Sequence, residues 1–533
     1  MQEILGSESR SELAIKKLAA LIETLDDESG ERELMRLKLA VCREFSLDVV
    51  PKNSDVLPYL NRSTKIRLES VLRRKKIRTV SGIAIVTAIT MPFDCPHGTC
   101  TFCPGGVRFG TPQSYTRNSP AAAYGIAREF DPVRQVRDTI AFLSQNGHDT
   151  SKVELILLGG TILAMPRDYQ ESFVKGCYDA LNSFPGESLS ESIRINETSD
   201  HRCVGLTIET KPDWCRREHI DLLLSYGTTR VEIGVQSLQE RVLKFTNRGH
   251  TLSDTLDSFQ LSKDSALKVV AHMMPGLPLS DPETDLNDLK TLFEDERYRP
   301  DMLKIYPTLL VEGTALYQQY KMGNYLPYDI TQLKDILCQF KSIVPPWVRI
   351  MRIQREIPKE EIAIGEKAGN LRQIILEEME RRNLRCRCIR CRETGHSSTG
   401  NQGRPELKRI DYKAAGGDET FLSYEDSDEV LHGFLRLRIP SGKEFRPELR
   451  NQRTSLVREL HVYGQVVPLG SSVKDQHQSQ HRGIGSKLLE EAERVSREHS
   501  RSKVVVIAAV GTREYYRKRG YRDDGAYVSK ILS

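Results

Sequence analysis

The chain has 533 residues, 38% hydrophobic and 28% charged, with a formal net charge of +5. That length exceeds one ordinary core and implies about three to four domains. No run of about 18 apolar residues occurs, which excludes a helical membrane span, and the first residues lack a charged-then-apolar leader, so a cytoplasmic location is expected.

Helical spacing of apolar residues runs over 10–45 (Leu13, Ile15, Leu18, Ala19, Leu21, Ile22, then Leu34, Leu37, Leu39, Val41). Two prolines interrupt it at 51 and 58, and a third helix is predicted over 63–74. Residues 1–75 therefore read as a small helical domain ending in the basic run Arg73, Arg74, Lys75, Lys76 and Arg78. A second basic run spans Arg381 to Arg392. Both fit phosphate-facing patches, and equally solvated helix faces.

From about 77 the pattern changes. Strands are predicted at 83–90, 153–160, 204–210, 230–236, 268–274 and 302–308, with helices such as 132–145, 168–182 and 215–226 between them. Repeated strand–helix units imply an α/β fold with a parallel sheet, open or closed as a barrel. Its active site lies at the C-terminal ends of the strands. The polar residues there are Gly159, Gly160, Thr161, Glu209, Thr210, Lys211, Gln236 and Ser237. A Cys- and Arg-rich linker over 385–418 separates this region, 76–384, from a second α/β region over 419–533. Strands are predicted there near 428–438, 456–467 and 503–509, with a helix from 485 to 497.

Six of the 11 cysteines fall in two tight clusters. Clustered cysteines in a cytosolic chain point to metal ligands rather than disulfides. Cys42, Cys177, Cys203, Cys215 and Cys338 sit among apolar neighbours as core residues. Cys95, Cys100 and Cys103 follow the first barrel strand directly. Three thiolates on a [4Fe–4S] cluster leave one iron open to chelate a substrate such as S-adenosylmethionine. A zinc site completed by His97 is the alternative. The gaps of four and then two residues depart from the usual radical-SAM spacing of three and then two.

Gln480-His481-Arg482-Gly483-Ile484-Gly485-Ser486 opens an amphipathic helix. Backbone N–H groups at such a helix start suit a pyrophosphate, and the pattern resembles the acetyl-CoA loop of GNAT-type acetyltransferases; a plain glycine N-cap is the alternative. A strand over 458–467 precedes it, where pantetheine would bond, and Tyr515-Tyr516 follows, where a phenol protonated at neutral pH can donate to the CoA sulfur. Cys386, Cys388 and Cys391, with His396 nearby and Cys338 as another candidate fourth ligand, could hold zinc or remain free thiols.

Taken with RTVSGIAIV, CPGG, GGT, ETKPDW, VEIGVQS, GNLR, FLSYED, RELHVYG and GTREYYRKRGY, these motifs make the chain resemble the catalytic third-subunit family of Elongator from about residue 70 to 533. Family members commonly space the first two cysteines widely, so the four-residue gap fits. The resemblance implies a radical-SAM partial TIM barrel fused to a GNAT domain. It implies a carboxymethyl group placed on C5 of the wobble uridine of tRNA, at the anticodon stem-loop. The implied cofactors are a [4Fe–4S] cluster on Cys95, Cys100 and Cys103, S-adenosylmethionine and acetyl-CoA. Lys152, Glu459, Leu460, His461, Val462, Gln480, Gly483, Ile484, Gly485, Ser486 and Tyr516 would line the acetyl-CoA site, with Tyr515 and Tyr516 catalytic. The basic N-terminal run and the Arg-rich linker would grip tRNA phosphates. Two other readings stand beside this one: a protein lysine (histone-type) acetyltransferase using the GNAT domain alone, and a tRNA-binding scaffold with degenerate sites. The sequence is compatible with a homo-oligomer and does not imply accessory Elongator subunits.

Overall fold

The computed structural model describes residues 10–26, 29–47, 49–72, 82–394, 404–450, 453–463 and 483–532. The basic run 73–78, His396 and Gln480 lie outside them.

The N-terminal region is helical, as expected. Helices Arg10–Glu23 and Glu31–Glu44 bury Leu18, Ile22, Leu34 and Val41 against Val56, Leu57 and Leu60. The third predicted helix is split into Arg62–Arg67 and Glu69–Leu72.

The barrel strands are β1 (Ala84–Ile89), β2 (Lys152–Leu158), β3 (Arg202–Thr210), β4 (Arg230–Gln236), β5 (Lys268–Met273) and β6 (Met302–Ile305). The short β7 (Leu310–Val311) follows, then β8 (Arg349–Arg352) and β9 (Ile362–Ile364), which pairs with β7. The main sheet is parallel throughout, in the order β1-β2-β3-β4-β5-β6-β8. β8 does not return to β1, so the sheet is a curled half-barrel. Each strand turns alternate side chains outward onto the helices. Ala84, Val86 and Ala88 on β1 and Val153, Leu155 and Leu157 on β2 do so and are fully buried.

The second sheet comprises β10 (Glu406–Ala414), β11 (Gly417–Glu425), β12 (Leu431–Ile439), β13 (Thr454–Val462), β14 (Lys503–Val506), β15 (Arg522–Asp524) and β16 (Tyr527–Ile531). Their order is β10-β11-β12-β13-β14-β16-β15. β10 lies inside the stretch 385–418 that reads as linker in sequence, so the second sheet begins earlier than the expected start at 419. β10 is an edge strand with most of its side chains exposed, which removes the alternation a sequence reading depends on.

The two sheets share one core: Leu456, Val505, Ile507 and Tyr527 pack in the same apolar cluster as the barrel. Gly511 meets the barrel at β3, where an added Cβ would lie 2.5 Å from Arg202 Cβ, so a side chain there would force the two elements apart. A buried ionic network also crosses the boundary. Arg458 donates to both Asp301 and Glu419, Lys263 Nζ lies 3.0 Å from Asp301, and Arg438 lies 2.6 Å from Asp264. Among the described residues no helix is long and apolar enough to cross a membrane.

Candidate active site

A cavity of about 410 Å³ opens at the C-terminal ends of the barrel strands. Cys95, Cys100 and Cys103 line it, delivered by the loop after β1. Gly160, Thr161, Glu209, Thr210, Lys211 and Gln236 line it too, as the strand-end rule predicts. Gly159 and Ser237 serve elsewhere. An added Cβ on Gly159 would strike Thr90 Oγ1, and Ser237 donates to Asp288 at 2.9 Å.

Hydrogen-bond donors are aimed at the sulfurs. Arg248 Nη1 reaches Cys100 Sγ at 3.3 Å, and the Ser114 N–H reaches Cys103 Sγ at 3.2 Å. Lys211 Nζ lies 3.0 Å from His97 Nδ1, so that nitrogen accepts and Nε2 carries the hydrogen it directs at Cys100 Sγ, 3.2 Å away. His97 thus presents its Nε2–H to Cys100 Sγ. Burial, then Lys211 and Arg248, push its pKa down to about 3, so it stays neutral. Burial pushes the Cys95 thiol up to about 11 and raises Cys103 as well. Thiols this reluctant to ionise need the positive charge of bound iron to do so. Cys386, Cys388 and Cys391 have all ligand atoms within 4.8 Å of one another.

Deeper in the cavity lies a charged group that the sequence reading missed. Glu232 pairs with Lys304 and, at 3.0 Å, with His272 Nε2. Burial alone would raise its carboxyl; Lys304 and His272 outweigh that and hold it below the usual carboxylate range. Glu209 accepts from the Tyr115 phenol at 3.1 Å, and burial pushes its pKa up to about 7 against the opposing effect of Lys304. A lysine inside the apolar strand Met302–Ile305 was the available signal. Gln236 ends β4 at φ +73, and its Oε1, like Glu232 Oε1, is buried without a partner. These unsatisfied acceptors fit a ligand carrying hydroxyl and ammonium donors, as S-adenosylmethionine does.

A second cavity, of about 570 Å³, lies at the opposite end of the barrel, against β13. β13 pairs with β14 only over Thr454–Val457, and beyond that the two strands part. Glu459, Leu460, His461, Ile507, Ala509 and Tyr516 line the fork, and Arg230, Lys268, Met302 and Arg349 of the barrel close it. A bulge in β13 leaves Arg458 as the extra residue and turns it toward Asp301. Arg436 ties Glu459, at 2.8 Å, to the Trp347 carbonyl of the barrel, also at 2.8 Å.

The helix Ile484–Glu498 starts beside this fork, with Gly483 at φ +73 as its N-cap. Ser486 Oγ accepts from Arg519 Nε at 3.2 Å, and Arg519 lies 3.6 Å over the Tyr515 ring. Val462 and Tyr515 both flank Gly485. Tyr516 enters the cavity itself, and Tyr515 packs at the helix start. Burial raises the pKa of both phenols. Lys152 opens β2 at the barrel end that faces the second sheet, is partly buried, and does not line either cavity.

The linker thiols surround a buried amine: Lys341 Nζ lies 3.3 Å from Cys386 Sγ and 3.9 Å from Cys391 Sγ. Cys338 points elsewhere, to the Ile375 carbonyl at 3.8 Å. The Arg381–Arg392 run is partly paired with carboxylates. Arg381 and Arg382 pair with Glu378, Arg385 and Arg387 with Glu429, Arg390 with Glu393, and Arg392 with Glu425. In these pairs six arginines share four carboxylates, and the Arg381, Arg385 and Arg387 side chains stay 73%, 66% and 51% exposed, so the run keeps positive charge at the surface.

Known proteins match this arrangement along nearly the whole chain. Family models match at residues 11–80 (ELP3 N-terminal domain), 89–289 (Radical SAM superfamily) and 300–381 (Radical_SAM C-terminal domain). The tRNA uridine(34) acetyltransferase of Methanocaldococcus jannaschii is 47% identical over 492 residues, covering 90% of each chain. Elongator complex protein 3 of Homo sapiens is 42% identical over 544 residues, covering 99% of each. The structure of Methanocaldococcus infernus Elp3 lacking residues 1–46 superposes with a TM-score of 0.75 at 43% identity, over 85% of this chain and 100% of that one. With two cavities on one half-barrel and such relatives end to end, the chain belongs to the Elongator complex protein 3 family.

Proposed function

We propose that the chain is a tRNA carboxymethyluridine synthase, which uses acetyl-CoA and a radical from S-adenosylmethionine to place a carboxymethyl group on C5 of the wobble uridine. The observation that carries this reading is the placement of a cluster-type cysteine cavity and an acyl-type strand fork at the two ends of one barrel. The printed name of the Methanocaldococcus relatives, tRNA uridine(34) acetyltransferase, supports it.

Cys95, Cys100 and Cys103 would hold the [4Fe–4S] cluster and leave one iron for S-adenosylmethionine. Loaded in this way, the cavity supplies a carbon-centred radical able to take hydrogen from the acetyl methyl group. The chain's own groups do the rest. Arg248, His97 and the Ser114 N–H donate to the sulfurs and set their electron density. Gln236 and Glu232 accept from the bound cofactor. Glu459, Leu460, His461 and Val462 flank the pantetheine, and the N–H groups from Gly483 to Ser486 face the pyrophosphate. Lys152, at the barrel end that faces the second sheet, would reach acetyl-CoA from outside the fork cavity. Tyr516 donates to the sulfur as the thioester is hydrolysed. A loop base suits this chemistry because it leaves its stack at low cost.

Phosphate contact falls to the run Arg73–Arg78 together with the exposed linker arginines Arg381, Arg385 and Arg387. Cys386, Cys388 and Cys391 are the candidate zinc site, closed by His396. We place the protein in the cytoplasm with tRNA as its partner. The lysine acetyltransferase reading finds less support, since barrel residues close the fork where a peptide would have to enter.

The test is an anaerobic incubation of protein, reductant, S-adenosylmethionine, acetyl-CoA and tRNA, followed by nucleoside mass analysis. Carboxymethyluridine is expected from the wild type and none from Cys100→Ala. Acetylated peptide without carboxymethyluridine would overturn the reading.

A further inference from the structure

The two cavities share part of their walls. Ile85, Thr139 and Ile156 line both. Ile85 and Ile156 belong to two runs of inward side chains set two residues apart: Ile83, Ile85, Thr87 and Ile89 on β1, and Glu154, Ile156 and Leu158 on β2. The register pairs Ile85 with Glu154, Thr87 with Ile156 and Ile89 with Leu158, so the runs lie side by side. Together they form an unbroken track from the strand fork to the cysteines. Six residue steps from 83 to 89 cover roughly 20 Å. Ile85 is 50% exposed although its neighbours Ala84 and Val86 are fully buried. Its side chain therefore borders open volume rather than packed core.

The track has a chemistry as well as a course. It is aliphatic apart from two threonines and Glu154, and Glu154 is paired with Arg230. Its β1 and β2 residues carry no thiol, thioether or phenol, the side chains that most readily surrender a hydrogen atom to a carbon radical; the Tyr124 phenol lines the cysteine cavity beside them, 2.9 Å from Thr139 Oγ1. An apolar wall also keeps water from a thioester, and the Thr87 hydroxyl offers a polar contact to an amide-bearing arm, whereas the Thr139 hydroxyl donates to the Gln135 carbonyl at 2.8 Å.

We propose that the inner face of β1 and β2 is a binding channel for the acylated pantetheine arm, which carries the acetyl methyl group from the strand fork to the cysteine cavity. The channel rests on the reading of both cavities given above and adds to it the route by which one substrate reaches the other.

Two variants of the full-length protein test this. Ile85→Trp fills the track. It is expected to weaken acetyl-CoA binding, because Ile85 lies on the proposed channel, so transfer is read at saturating acetyl-CoA. Deuterium transfer from trideuteroacetyl-CoA into deoxyadenosine should fall at least about tenfold. Ile85→Cys places a thiol on the track. Acetyl-CoA should slow its alkylation, read by peptide mass spectrometry on protein without a cluster, by about fivefold or more. Undiminished deuterium transfer in Ile85→Trp, or alkylation indifferent to acetyl-CoA, would overturn the proposal. The alkylation result decides alone where Ile85→Trp does not fold. Protection of the thiol in a protein that makes no carboxymethyluridine would remove the functional reading and leave the channel standing.

Discussion

Tyr515 and Tyr516 are adjacent in sequence and do different things. Tyr515 packs under Arg519 at the helix start, and Tyr516 enters the strand fork. Burial keeps the Tyr516 phenol protonated at neutral pH. Tyr516→Phe removes one donor to a developing thiolate and should slow thioester hydrolysis by about 10²-fold with little change in acetyl-CoA affinity, measured by thiol release and calorimetry. Glu209 offers a pH prediction. Its folded pKa of about 7 exceeds the ordinary 4.5 because of burial. Between those values the native state keeps a proton that the unfolded chain has lost, so stability falls as pH rises through that window. Above it the ionised group costs about 3 kcal/mol. Glu209→Gln should flatten the melting-temperature profile between about pH 4.5 and 7 and be more stable than wild type at pH 8.

At the scale of elements, the long barrel strands were legible to within a residue or three, because parallel strands buried on both faces read as apolar runs. The helix Pro132–Gln145 matches its expected bounds. β8, four residues long, and the exposed edge strand β10 carry no such signal. The helix Ile484–Glu498 was legible through its amphipathic pattern and leading glycines, but the consequence of Gly485 was not: an added Cβ there would lie 2.7 Å from the Tyr515 hydroxyl. Gly485→Ala should displace that ring from the helix start and weaken acetyl-CoA binding about tenfold, or about 1.4 kcal/mol, in a direct titration. The fold should survive, because alanine suits a helix better than glycine does.

At the scale of the molecule, the two sheets are held as one body by charges that neither could bury alone. Asp301 sits on the barrel with no exposed side-chain surface and takes Arg458 and Lys263. Removing one partner of such a group leaves a buried charge uncompensated. Arg458→Ala should therefore cost about 3–5 kcal/mol and split thermal unfolding into two calorimetric transitions. Arg458→Met with Asp301→Asn should recover part of that loss, since the pair is then replaced rather than broken.

The local chemistry was determined by sequence alone. Cys95, Cys100 and Cys103 with their spacing, the glycine-led helix and the paired tyrosines are short-range patterns, and backbone geometry fixes what such patterns present. The tertiary structure decided everything that depends on residues meeting from afar. It partly paired the Arg381–Arg392 run with carboxylates and gave His97 the role of donor. It also brought Glu232, His272 and Lys304 into one cavity and set the two cavities on a common track. Charge pairing, desolvation and the sharing of a cavity wall are properties of three-dimensional neighbours, and spacing along the chain does not encode them.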